Sequence, residues 1–192
     1  MASLEQLLAD LTSGDDARAE AAVPALTMHG SAGIDALHKL QSSPLTDYRW
    51  WATRALSAFP QPKAHHHLIN ALADQDNSVR QCAALGLKLR PLPEALEALI
   101  DQLGSQDQLL ARLASDALSE LGAMAVPSLE NAAKHPDPNV RIQAVRAMAL
   151  MEQPEAIGPM FNAIDDPSTM VTYWAELGLD RLGIGMVFFN PS

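Results

Sequence analysis

One unit recurs along this chain at a spacing near 31 residues, and that repeat constrains the fold more than any other feature. The segments YRWWATRAL, VRQCAALGL, LARLASDAL, VRIQAVRAM and VTYWAELGL align on Ala52, Ala83, Ala114, Ala144 and Ala175, which are separated by 31, 31, 30 and 31 residues. A sixth and earlier copy is marked by Ala21, inside ARAEAAVPAL. Three places after each of the five central alanines comes alanine or glycine: Ala55, Gly86, Ala117, Ala147 and Gly178. Four places after it comes a large apolar residue: Leu56, Leu87, Leu118, Met148 and Leu179. A repeat of this length cannot bury its apolar side alone, so copies must stack on one another.

Counted from the central alanine, positions −4, 0, +3, +4 and +7 lie on one side of a 3.6-residue helix. The spacing therefore predicts a helix with a narrow seam, and the small residues in it admit a close neighbour. A second apolar set at −18, −15 and −11 predicts another helix before it, as in Leu96, Leu99 and Leu103, or Val126, Leu129 and Ala133, or Ile157, Met160 and Ile164. Pro62, Pro93 and Pro154 share one column and suit a first helical turn, where the missing N–H costs nothing. Pro44, Pro136 and Pro167 share the column that separates the two helices, with Asp76, Asp107 and Asp137 one place further on as N-caps. Each unit is then helix, tight turn, helix, with boundaries near 1–30, 31–61, 62–92, 93–122, 123–153 and 154–183 in a single domain over 1–192. The first unit opens with Ser3 and Gln6 at capping-box spacing, and Pro24 is expected to interrupt its second helix.

At these residues the chain resembles the HEAT-repeat proteins of the short-repeat, phycobilisome-lyase-like subclass. The pattern of that family (an acidic residue, Val-Arg, Ala, then a small residue with Leu) is met by Asp76, Val79, Arg80, Ala83, Gly86 and Leu87. Asp137, Val140, Arg141, Ala144, Ala147 and Met148 meet it with Met in place of Leu. The resemblance spans nearly the whole chain and implies an all-α, right-handed α-solenoid (α-α superhelix) of about six HEAT-like hairpins. It also implies a ladder in which the arginine bonds a turn aspartate, broken at Ala111 and Thr172. HEAT arrays serve as scaffolds, assembly factors, lyase subunits and nucleic-acid enzymes, so the resemblance implies a fold far more than a function.

Composition narrows the function classes. Lys and Arg total 13 against 23 Asp and Glu, a net charge of −10, which argues against a nucleic-acid protein that works by displacing phosphate counterions. One cysteine, Cys82, excludes a disulfide framework within the chain and an all-Cys zinc site. The amphipathic, acidic first residues do not read as a leader, and no stretch approaches the ~20 apolar residues of a membrane span. The expected location is cytoplasmic.

Candidate chemistry is sparse. His65, His66 and His67 are consecutive, so their side chains sit about 100° apart on a helix and do not converge on one ion; a solvated helix start is expected. Cys82 falls beside the seam in a mostly apolar column with Trp51, Leu113 and Trp174, which suits a small core residue rather than a nucleophile. Arg49, Arg80 and Arg141 fall on the flank that faces an adjacent repeat and are assigned to structure. Asp15, Asp16, Asp165 and Asp166 are placed in turns as caps. No catalytic residue, metal ligand or cofactor is assigned.

Positions −2, +1, +2 and +5 should project away from the seam onto an exposed inner face. They carry an apolar and mildly basic set from which the binding residues are chosen: Trp50, Arg54, Leu85, Lys88, Arg112, Ile142, Val145, Arg146, Tyr173 and Leu177. Four cations meet three anions on this stripe. The expected grouping puts Trp50 with Leu85, and Ile142 and Val145 with Tyr173 and Leu177, divided by the polar set Arg112, Ser115, Asp116 and Ser119. The function read from this is a non-enzymatic protein-interaction module whose partner is a protein or peptide, either an amphipathic helix or an extended acidic segment. Its alternatives are an enzyme subunit such as a lyase acting on a protein-bound cofactor, and nucleic-acid binding by the same face. The apolar run from Gly183 to Phe189 is expected to cover the last hairpin or to pair two chains as a homodimer.

Overall fold

The computed structural model describes residues 2–184 of the 192. The expected roles of the tail after Gly183 lie outside the described residues, apart from Ile184, whose N–H donates to the Leu179 carbonyl at 2.9 Å. Among the described residues there are twelve α-helices and no strand. The chain divides into two compact units, Met1–Leu92 and Pro93–Ser192.

The first unit holds α1 (Leu4–Leu11), α2 (Asp16–Thr27), α3 (Gly30–Gln41), α4 (Thr46–Leu56), α5 (Pro62–Asn70) and α6 (Asn77–Leu89). The second holds α7 (Leu96–Gln102), α8 (Gln108–Glu120), α9 (Val126–Ala132), α10 (Pro138–Met151), α11 (Ile157–Ala163) and α12 (Thr169–Arg181). Odd-numbered helices open each hairpin and even-numbered helices close it. Pro62 is the first residue of α5, whereas Pro93 and Pro154 each open a single 3₁₀ turn that leads into α7 and α11. No helix among the described residues is long and apolar enough to cross a membrane.

The turn inside each hairpin is held by local hydrogen bonds that any short polar side chain can make. Asp15, Asp76, Asp107 and Asp137 cap α2, α6, α8 and α10 by accepting backbone N–H bonds. Two residues before these caps lies a second column, Ser13, Ser43, Asp74, Ser105, His135 and Asp166. Each member accepts the backbone N–H two places on, at 2.8 to 3.3 Å. Ser3 caps α1 through the Gln6 N–H, but the Gln6 side chain turns to Asp10, so the reciprocal half of the capping box is not made. Pro24 does not interrupt α2, which runs through it to Thr27. It sits in the last turn and forfeits one backbone bond there.

The arginine assignment holds, with a different acceptor. Arg49 makes a bidentate pair with Asp74 at 2.9 and 3.0 Å, and Arg141 makes the same pair with Asp166 at 2.8 and 3.0 Å. Each aspartate belongs to the following hairpin and to the second column rather than to the helix caps. Each arginine also donates to carbonyls of its own turn, Ser43 and Pro44 for Arg49, His135 and Pro136 for Arg141. Arg80 grips the Asp74 carbonyl and the Asn77 side chain. Thr172 takes over part of this task, its hydroxyl bonding the Asp166 carbonyl at 3.3 Å. Ala111 is buried and offers no such bond.

All five central alanines are fully buried, as are Ala55, Ala117 and Ala147 three places on. In the first hairpin Ala21 is exposed and Ala22 is buried, so the register there is one place later than the repeat spacing indicates. At Gly86 and Gly178 the +3 position faces the +5 residue of the preceding even-numbered helix of the same unit. A Cβ on Gly86 would lie 2.8 Å from Ser57 Cβ, and one on Gly178 would lie 2.8 Å from Ala149 Cα and overlap Met160 Sδ. Gly178 admits the Ala149 backbone itself, and Gly86 admits the Ser57 and Leu68 side chains.

Gly178→Ala and Ala144→Leu are each expected to cost about 1–3 kcal/mol by overpacking, read as a lower thermal midpoint. An unchanged midpoint in both would contradict the close approach. Asp74→Ala leaves the buried Arg49 guanidinium without its counter-ion and is expected to cost about 3–5 kcal/mol, against about 1 kcal/mol for removal of the Asp76 cap. Chemical denaturation of the two variants measures the difference.

Candidate functional site

Within each unit the flank of the even-numbered helices left accessible is narrower than the repeat arithmetic indicates. At +1, Thr53, Ala84, Ser115 and Val145 are fully buried, and Ala149 at +5 is buried as well. Val145 is therefore not a surface residue. An even-numbered helix touches its own hairpin partner and also its even-numbered neighbour, so burial spreads past the seam. Ser115 Oγ, at +1 of α8, donates to the Gln143 carbonyl of α10 at 2.9 Å. Glu176, at +1 of the last described helix, is exposed. What stays accessible is the −2 and +2 columns, and the +5 column apart from Ala149. Tyr173 is 52% exposed and Leu85 44%, Arg112 is exposed, and Trp50, Arg54, Lys88, Ile142, Arg146 and Leu177 are half-buried.

The cations on this face are less available than their number implies. Arg54 pairs with Glu20 of α2. Arg146 pairs with Asp116 of α8 at 2.7 Å, donates to Ser115 Oγ at 3.0 Å and lies 5.4 Å from the ring centre of Trp174 on α12. A cation held over an indole and against a carboxylate serves to join α8, α10 and α12. The expectation of a basic groove gives way accordingly, because two of its four cations are neutralised within the face.

In the first unit this face opens into a cleft of about 870 Å³ lined by Thr12, Ser13, Gly14, Asp16, Glu20, Asp47, Tyr48, Trp50, Trp51 and Ser78. Gly14, at φ +77°, turns the chain between α1 and α2 and forms its rim. Trp50 and Trp51 stand edge to face, 4.9 Å between ring centres at 84°, and give two perpendicular walls. Leu85 is outside this cleft, so Trp50 groups with its chain neighbours and with α2. Asp16, Glu20, Asp47, Tyr48 and Trp51 were not among the residues expected to bind. A signal existed: aromatic residues are 5% of the chain, yet three fall within Tyr48, Arg49, Trp50 and Trp51. A smaller cleft of about 390 Å³ in the second unit, around Glu97, Asp101, His135 and Asp137, has no aromatic wall.

The histidine triplet is not a solvated helix start. His67 is 8% exposed and stacks on His38 of α3, 3.9 Å between ring centres at 18°, with neither ring nitrogen hydrogen-bonded. Burial, reinforced by the positive charge of His38, His66 and Lys63 and opposed by Asp35, holds its pKa below the usual histidine value. Among the described residues no three His, Cys, Asp or Glu side chains gather in a way that would hold a metal ion. Cys82 is buried, and desolvation pushes its thiol up to about 12, the opposite of what a nucleophile needs.

A family model for HEAT repeats matches residues 4–88 and 96–180. The chain is a HEAT-repeat protein. No curated protein matches it significantly in sequence. Among solved structures it is similar to an archaeal HEAT-like repeats protein from Thermococcus onnurineus NA1, at 14% identity over 99% of this chain and 84% of that one, TM-score 0.63. It is also similar to the complex of CpcE and CpcF of phycocyanin lyase from Nostoc sp. PCC7120, at 26% identity over 95% of this chain and 78% of that one, TM-score 0.54. A designed armadillo repeat protein in complex with the peptide (KR)4 matches at 17% identity over 94% of this chain and all of that one, TM-score 0.50.

Lowered His67 basicity couples to stability with a definite sign. Below the unfolded histidine value of about 6.5 the unfolded chain binds more protons than the folded one, so stability rises with pH toward that value and falls on acidification. Denaturation between about pH 5 and 7 is expected to show this slope, and His67→Gln is expected to flatten it. An equal slope in the variant would assign the titration elsewhere.

Proposed function

We propose that this HEAT-repeat protein is a non-enzymatic interaction module that binds a segment of another protein on the face of its even-numbered helices. The observation that carries the reading is the aromatic cleft around Trp50 and Trp51, on the same face as the half-exposed Leu85, with Tyr173 placed likewise on α12. Large amphipathic rings that fold into place without being buried are the residue type that dominates binding hot spots. The fold supports it, since stacked helical repeats offer extended surfaces and a designed armadillo relative of this architecture is complexed with a peptide. Lys88, Arg112, Ile142, Arg146 and Leu177 belong to the rim of this surface in the proposal, and Arg54 positions Glu20.

A second reading makes the chain a subunit of a lyase-type enzyme acting on a protein-bound cofactor, and the 26% identity to the phycocyanin lyase complex favours it. The two readings share a protein partner and differ in whether that partner carries a covalent cofactor.

A photo-crosslinking amino acid placed at Leu85 or Tyr173, in cells of the native host, is expected to capture a discrete protein, while the same label at the exposed Phe161 on α11 captures none. Equal capture from both faces, or none from Leu85 and Tyr173, would refute binding on the even-numbered face. A captured protein bearing a covalent cofactor would select the enzyme-subunit reading.

A further inference from the structure

The cleft of the first unit is chemically one-sided. Its lining holds three carboxylates, Asp16, Glu20 and Asp47, and no cation. Glu20 is engaged by Arg54, but Asp16 and Asp47 are exposed and make no ion pair among the described residues. The same cleft is lined by the rings of Tyr48, Trp50 and Trp51, the two indoles perpendicular to each other. An acidic ligand would meet like charge here. A purely apolar helix would leave the carboxylates desolvated and unpaired, which is costly. A side chain that is cationic at its tip and apolar along its stem satisfies both elements at once: the stem lies on the indole faces, the rings attract the charge, and the carboxylates accept its N–H bonds.

Resting on the interaction reading above, we propose that this cleft is a seat for a basic peptide segment, with a lysine or arginine of the partner held between the Trp50 and Trp51 rings and the carboxylates of Asp16 and Asp47. The volume, about 870 Å³, exceeds what one side chain fills and lies within the range of sites that enclose ligands of several groups, so adjoining residues of the segment occupy it too. Ser13, Thr12 and Ser78 at the rim supply hydroxyls, and the turn at Gly14 keeps that edge free of side-chain bulk. The partner chemistry is thus the reverse of the acidic segment expected from counting charges on the repeat stripe.

The probe is an acetylated and amidated octapeptide of alternating lysine and arginine, labelled for fluorescence anisotropy and titrated against the full chain at about 100 mM salt, where distant charges are largely screened. Saturable one-to-one binding is expected, with none for an octapeptide of alternating glutamate and glutamine. Because both residues are exposed, Asp16→Asn with Asp47→Asn leaves the fold intact, and it is expected to weaken binding by about tenfold or more. Glu176→Gln with Asp180→Asn, which removes the same charge from exposed positions of α12, is expected to change it by less than about twofold. Absence of binding, or equal loss in the two double variants, would overturn the cation seat, the second by showing attraction to net charge alone. Capture of a partner at Leu85 or Tyr173 together with no binding of the basic octapeptide would leave the interaction module standing and remove only this assignment.

Discussion

Within each unit, the close approach of neighbouring even-numbered helices is the constraint from which the rest of the structure follows. It is permitted by alanine at the centre of each seam and by alanine or glycine three places on, and at Gly86 and Gly178 the space left is too small for a methyl group. Helices this close cover one another's flanks, so a position one residue past the seam is buried although it points about 100° away from the central alanine. Val145, Thr53 and Ser115 are buried for this reason. The surface left to recognition is thereby narrowed by the +1 column in all but the last described helix. A broader seam of leucines would have held the helices further apart and exposed more of each.

Charge is distributed by the same economy. In the turns, Asp74 accepts from Arg49 through both carboxylate oxygens, caps the Asp76 N–H, and offers its carbonyl to Arg80. One carboxylate thereby ties two hairpins and fixes the turn between α5 and α6. On the even-numbered face the pairs are different in kind: Arg54 with the more exposed Glu20, Arg146 with the less exposed Asp116 and Trp174. Exposed pairs contribute about 0–1 kcal/mol, so Arg54 and Glu20 can exchange partners on binding at little cost, whereas Arg146 belongs to the packing of its unit.

What was legible in the sequence is what is local to it. Caps at Asp76, Asp107 and Asp137, the seam alanines and the helix–turn–helix alternation depend on residues within one turn or one repeat, and the structure has them where spacing puts them. Helical period assigns an angle to each residue, but burial at that angle depends on how many neighbours a helix has. Period alone therefore sets Val145 on the surface, and the structure buries it. Proline is costly in a helix interior and so predicts a break at Pro24, yet in the last turn of α2 only one bond is lost. The His38–His67 stack and the meeting of Glu20 with Arg54 join residues 29 and 34 apart. Neither pair is marked by a motif.

The cleft itself shows how a repeat protein acquires specificity without departing from its repeat. Trp50 and Trp51 occupy the −2 and −1 columns, where the next repeat has Gln81 and Cys82, and Trp51 also packs against the core of the first unit. Asp16 and Glu20 come from the first hairpin, whose register is already offset by one residue at Ala22. These α2 acids line the cleft together with the α4 aromatics. Asp16 and Asp47 stand in the first turns of α2 and α4, outside the seam, and neither makes an ion pair among the described residues. In the interior turns every arginine and its aspartate is consumed by the scaffold. The acids that a ligand can use at the cleft are therefore ones that these turn pairs do not involve.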